Sequence, residues 1–205
     1  MKQMNTRLLF FLCGLISLSS KAQLTSTNLP IVIINATSAI GSSQVQADFA
    51  IINNTSGLNT PTSTPAYSGI IGINLRGNTA TLGYPKKCYS VETWSSPGTS
   101  LDTTLLDLSK ENDWVLLAAY PDRSLLRTPL SFHLHRKMGH YAPHMRFCEL
   151  ILNNQYQGIY LLGEKIKRDT NRVNIAKLTT SDNSGVNLTG GYIWKVDDET
   201  GAGWT

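Results

Sequence analysis

The chain has little charge and few aromatics. Lys, Arg, Asp and Glu make up 16% of its 205 residues, Phe, Trp and Tyr 8%, and cysteine occurs 3 times. The net charge is only +4, which leaves no electrostatic case for nucleic-acid binding. After the N-terminus no apolar run reaches the roughly 20 residues that a membrane-spanning helix needs. Familiar catalytic signatures are missing as well. There is no G-x-S-x-G elbow, no G-x-x-x-x-G-K-[ST] phosphate loop, no H-E-x-x-H and no G-x-G-x-x-G. Internal repeats and long low-complexity tracts are also lacking.

Residues 1–22 read as a secretory signal. Lys2 and Arg7 form a positive start, Leu8 to Leu18 is a short apolar run, and Ser20-Lys21-Ala22 offers a cut before Gln23. Export to the cell envelope or beyond is therefore expected. Cleavage removes Lys2, Arg7 and Lys21 but no acid, so the remainder, 23–205, is nearly neutral. Cys13 follows Phe11 and Leu12, which are too bulky for a lipid-attachment motif, and it leaves with the signal. Cys88 and Cys148 remain. In an oxidising compartment they form either a disulfide or two buried thiols, and spacing does not choose between these.

Several segments have strand character. Leu29–Ala36 is a compact β-branched run, and Val45–Asn53 also reads as strand. Ser68–Arg76 places Ile71, Ile73 and Leu75 on one face. Lys86–Thr93 is a further strand, Trp94–Ser100 a turn-rich break, and Asn54–Ala66 a polar loop. Phe147–Leu152 and Gly158–Leu162 flank Asn153-Asn154-Gln155 and predict a hairpin. Tyr192–Val196 is a last strand candidate. One helix is predicted, with Asp122 as its cap and Gly139 at its end. Leu126, Leu130, Leu134 and Met138 form an apolar stripe, and Arg123, Arg127, Ser131 and His135 a polar one. Pro129 lies inside it and predicts a kink or disturbed early turns. The order points to an α+β fold: a mainly antiparallel sheet with one principal helix.

His133, His135, His140 and His144 suggest a metal site, but residues two apart on a helix point about 200° apart and cannot share one ion. They read as surface or capping histidines. Arg76-Gly77-Asn78, followed by Gly83, is a glycine-containing turn whose amides can approach a phosphate. Alone it is a hairpin turn. Lys86-Lys87 begins the next strand, a place where a lysine can hold nucleotide phosphates, although paired lysines are usually solvated surface.

Taken together, the pieces L-P-I-V-I-I-N-A, I-G-I-N-L-R-G-N, Y-P-K-K-C-Y-S-V-E-T, K-E-N-D-W-V-L-L-A-A-Y-P-D-R-S-L-L-R and R-F-C-E-L-I-L-N-N-Q-Y-Q-G-I-Y-L-L-G-E-K-I-K-R-D-T-N-R-V-N-I-A-K-L, closed by L-T-G-G-Y-I-W-K-V-D, run in an order that resembles the CotH kinase family. These are the spore-coat-protein-H-like atypical kinases. The resemblance implies the N-terminal lobe of a protein-kinase-like fold. It implies transfer of phosphate from ATP, with Mg, to serines of proteins such as coat proteins. Arg76 and Gly77 would belong to the loop over the phosphates. Lys87, or less favoured Lys86, would bind phosphate. Glu149 and Glu164 would lie in the strand and hinge region facing the nucleotide, and Arg127 on the supporting helix. Residues 23–205 would form a CotH kinase-like domain incomplete at its C-terminus. The family's catalytic and metal-binding aspartates are expected downstream, so no catalytic or metal residue is assigned, and Asp197 and Asp198 read as an exposed turn.

Two departures from the family pattern stand out. R-T-P-L-S-F replaces a motif nearer R-N-x-L-A-Y. No acid lies between Arg123 and Cys148, so a glutamate partner for the lysine must come from elsewhere, and Glu149 is the candidate. Partners are then a protein substrate or a surface protein. The alternative function is a non-catalytic secreted surface-binding, adhesion or coat module. That reading expects scattered site residues and an exposed apolar patch.

Overall fold

The structure, a computed structural model, describes residues 23–77 and 83–194. The expected signal, residues 1–22, and Asn78 of the glycine turn lie outside the described residues. Eight strands are present: β1 (Ile31–Ala36), β2 (Val45–Ile52), β3 (Tyr67–Arg76), β4 (Cys88–Ser96), β5 (Thr99–Ser100), β6 (Asp113–Leu117), β7 (Met145–Leu152) and β8 (Gln155–Glu164).

Seven of them close into a barrel in the order β1-β2-β3-β4-β6-β8-β7, with β7 returning to β1. The two-residue β5 pairs with the end of β4. All pairs in the ring are antiparallel except β1 with β7. Closure leaves no open sheet edge in the ring. This corrects the expected α+β kinase-lobe architecture of an open sheet around one principal helix. Among the described residues only two short helices occur, α1 (Arg127–Lys137) and α2 (Val186–Thr189), and neither buries a residue.

Two features of the chain explain the difference. β6 is the five-residue run D-W-V-L-L, too short to show alternation, and it was not expected as a strand. The β1–β7 pairing sets Ile31 beside Glu149 and Val32 beside Leu150, a contact with no local signal. Alternation does explain the core. Val32, Ile34, Ala47, Phe49, Ile71, Ile73, Val91, Trp114, Leu116, Cys148, Leu150, Tyr160 and Leu162 fill the barrel interior. The outward Gly72 is required by close packing: a Cβ there would lie 2.2 Å from the Trp94 ring.

The β7–β8 hairpin turns at Asn153 (φ 48°) and Asn154 (φ 60°), the left-handed pair that a two-residue turn demands. A bulge follows between Leu150 and Ile151 on the register, next to Gly158 (φ 79°). Tyr192–Trp194 is not strand, and the rest of that candidate lies outside the described residues.

Helix α1 is capped at Leu126 rather than at the expected Asp122, whose Oδ2 instead accepts the Arg127 backbone N–H at 2.8 Å from outside the helix, and Gly139 (φ 84°) follows its end. Pro129 is the third helical residue. Its missing N–H falls within the first turn, where amides have no helical acceptor, and Leu130 N–H already bonds Leu126 O at 2.9 Å. The helix turns half-buried Thr128, Phe132 and Arg136 toward the barrel and leaves the leucine stripe outside.

Candidate nucleotide site at the open mouth of the barrel

β3 ends and β4 begins at one mouth of the barrel, where Arg76 pairs with Cys88. Arg76 is exposed, and Gly77 has φ 85°, a conformation open to glycine. Lys86 and Lys87 stand just before β4 at this mouth. Their side chains diverge. The Lys87 amine donates to Tyr84 O at 2.6 Å, and its backbone carbonyl accepts the Tyr160 hydroxyl at 2.9 Å. The Lys86 amine crosses to β8, donating to Ile159 O at 2.5 Å and lying 4.4 Å from the Tyr160 ring centre. Gly158 flanks this crossing, where an added Cβ would make only an ordinary 3.8 Å contact with the amine.

Burial lowers the Lys86 pKa, and Glu149 opposes that shift. Glu149 is buried on the outer side of β7. It accepts the Tyr156 hydroxyl at 2.8 Å and the Thr27 hydroxyl at 3.3 Å. Burial and this bond push Tyr156 up to about 12, so the phenol stays a donor to the carboxylate. Glu149 is thus in electrostatic reach of Lys86.

Beside Lys86 lies a cavity of about 280 Å³ lined by Tyr84, Lys86, Cys88, Leu117, Ala118, Ala119, Tyr120, Pro121, Thr128 and Leu161. Its walls are apolar, with the Tyr84 and Tyr120 rings 5.4 Å apart. Thr128 brings the first turn of α1 to its rim. Arg127 itself points away, 84% exposed, with Nε 3.7 Å from Asp122.

Glu164 belongs to the opposite mouth. It faces inward beside Trp114 and is 2% exposed. Its carboxylate is held by Arg172 Nη1 at 3.3 Å and the His144 backbone N–H at 2.9 Å. The Arg172 guanidinium also donates to Ser109 O and lies over the Trp114 ring at 5.1 Å. Lys167 adds contacts to Glu111 (2.5 Å) and Asp113 (2.7 Å). Arg76, Gly77, Lys86 and Lys87 are therefore gathered at one mouth with Glu149 near, while Glu164 and Arg127 are elsewhere.

Cys88 and Cys148 are free thiols. Cys148 is inside the barrel, and burial raises its pKa to about 12; Cys88 Sγ accepts the Ala118 N–H. His135 and His140 stack at 4.9 Å, and His144 Nδ1 lies 3.4 Å from Glu164. Among the described residues no three His, Cys, Asp or Glu side chains gather as a metal site.

A family model described as CotH kinase protein matches residues 73–204. The chain belongs to the CotH kinase family. No curated protein matches it. The CotH match begins inside β3, so β1 and β2 precede it yet complete the same barrel.

CotH membership implies ATP and a divalent metal in general terms. The chemistry of the open mouth fits the nucleotide: Arg76, Lys86 and Lys87 are cations for phosphates, next to an apolar cavity. The described residues do not fit a metal ion. The CotH resemblance directed attention to Lys87. Lys86 was the less favoured of the two lysines, and the cavity formed with β6 and the start of α1 was not expected. No local pattern signals either, because the Lys86 contact and the cavity join segments far apart in the chain.

Proposed function

We propose that this chain is the ATP-binding part of a secreted CotH-family protein kinase that transfers phosphate from ATP to protein serines. The observation that carries the reading is the open mouth, with Lys86 set between the Tyr160 ring, the Ile159 carbonyl and the field of Glu149. A polyphosphate there would give a partly desolvated ammonium the counter-charge that Glu149 supplies only at a distance. Arg76 and Lys87 add charge at the same mouth, and the cavity would take the apolar face of the nucleotide. Phosphate-binding chemistry of this kind depends on positioning and charge neutralisation. Export through the N-terminal segment and a protein substrate belong to the same reading.

The test is titration of the chain with a fluorescent ATP analogue, with unlabelled ATP as competitor. ATP binds, Lys86→Ala weakens it about tenfold or more, and Lys87→Ala weakens it less. Glu149→Gln changes affinity through Lys86, so its effect vanishes in the Lys86→Ala background. A folded chain that does not bind ATP overturns the reading. Equal losses for both lysines, or an unchanged Glu149→Gln, remove the assignment of the Lys86–Glu149 pair.

A further inference from the structure

Helix α1 carries a row of large apolar side chains on the side away from the barrel. Leu126, Leu130, Leu134 and Met138 are 52–69% exposed, while Thr128, Phe132 and Arg136 take the inner side. The four residues recur at i+4, so they form one continuous ridge about 18 Å long. Such i±4 ridges are the knobs by which helices pack into the grooves of other helices. Past Asp122, at its N-terminal end, the stretch of chain that carries the ridge has formal charges of one sign. No acid occurs from Arg123 to Cys148, and that stretch holds Arg123, Arg127, Arg136, Lys137, Arg146 and all 4 histidines. Of the cations flanking the ridge, Arg127 has Asp122 at 3.7 Å, whereas no carboxylate among the described residues forms an ion pair with Lys137.

We infer that the outer face of α1 docks an acidic, amphipathic protein helix, its apolar side chains meeting the leucine ridge and its carboxylates meeting the flanking cations. A second copy of this chain is disfavoured, because a two-fold contact would set the same cations against each other. A membrane surface is disfavoured by the width of the ridge. Arg127, Ser131 and His135 flank it on one side and Pro129, His133 and Lys137 on the other, leaving no broad face to embed. The inference is independent of nucleotide binding.

The probe is a synthetic helical peptide with leucines at i+4 spacing and glutamates beside them, plus a twin with lysines in place of the glutamates. The acidic peptide binds the full chain by fluorescence anisotropy, binding weakens with salt, and the basic twin does not bind. The pair Leu130→Ser and Leu134→Ser weakens binding about tenfold, and Lys137→Glu about threefold or more, with unchanged circular dichroism. Equal binding of the two peptides, or indifference to the leucine substitutions, overturns the inference. So does association with phosphatidylserine vesicles without peptide binding. A dimer that the leucine substitutions dissolve also overturns it, in favour of self-association.

Discussion

The two mouths of the barrel use charge in opposite ways. At the Glu164 mouth the buried and half-buried charges pair with one another. Arg172 and Glu164 are buried together, His144 N–H completes the carboxylate, and Lys165 and Lys167 hold Asp113 and Glu111. At the Lys86 mouth the Lys86 amine meets the Ile159 carbonyl and the Tyr160 ring, and Glu149 lies beyond ion-pair distance from it. A charge neutralised by its own chain closes a structure. A charge solvated by neutral dipoles keeps its attraction for an incoming anion. The contrast separates the residues that hold the barrel from those available to a ligand.

The largest effect should come at the closed mouth. Arg172→Ala strands a buried carboxylate and should cost about 3–5 kcal/mol in urea denaturation. Joint replacement by Arg172→Met and Glu164→Leu should recover most of that, because two charges leave together. Arg172 Nε and Nη2 already find no acceptor among the described residues, which favours the apolar pair. A loss below about 1 kcal/mol for Arg172→Ala would break the comparison.

The second prediction concerns pH. Burial alone would raise Asp113, but hydrogen bonds from Lys165 and Lys167 outweigh it and hold the folded carboxyl below its ordinary 3.8. A depressed folded pKa contributes stability above the unfolded value, and the contribution is lost as pH falls through the folded one. Denaturation midpoints should therefore drop on acidification below about pH 4, and Asp113→Asn should flatten that limb. An identical acid limb in the variant would mean that other carboxyls dominate it.

Smaller effects are expected at the open mouth. Tyr160→Phe removes the hydroxyl bond to Lys87 O and should cost about 1 kcal/mol. Lys86→Ala should change stability by less than that while weakening ATP binding, the reverse of Arg172→Ala. On the helix, Leu130→Ser should move stability by only about 0.5 kcal/mol, as suits an exposed site. A larger loss there would mean that the ridge is covered in solution.

How much of this was legible in the chain differs by element. Asn153-Asn154 announced the β7–β8 turn, and Ile71, Ile73 and Leu75 announced the inner face of β3, because both depend on neighbours in sequence. Pro129 misled: the helix begins only at Arg127, so Pro129 falls in its first turn and is harmless. Lys87 drew attention as the phosphate ligand, yet which of two adjacent lysines turns toward β8 depends on where distant strands pair.

The amino-acid order alone determined the segments of extended chain, the single leucine ridge, the acid-free stretch around it and the CotH resemblance. Those are local patterns, written at periods of two and four residues. Only the tertiary structure decided that the strands close into a barrel, that Glu164 is buried against Arg172, that the Lys86 amine crosses to the Ile159 carbonyl, and that the ridge faces outward. The reason is range. Each of these depends on pairing across long stretches of chain, such as Ile31 with Glu149, and long-range pairing leaves no periodic trace in the residues it joins.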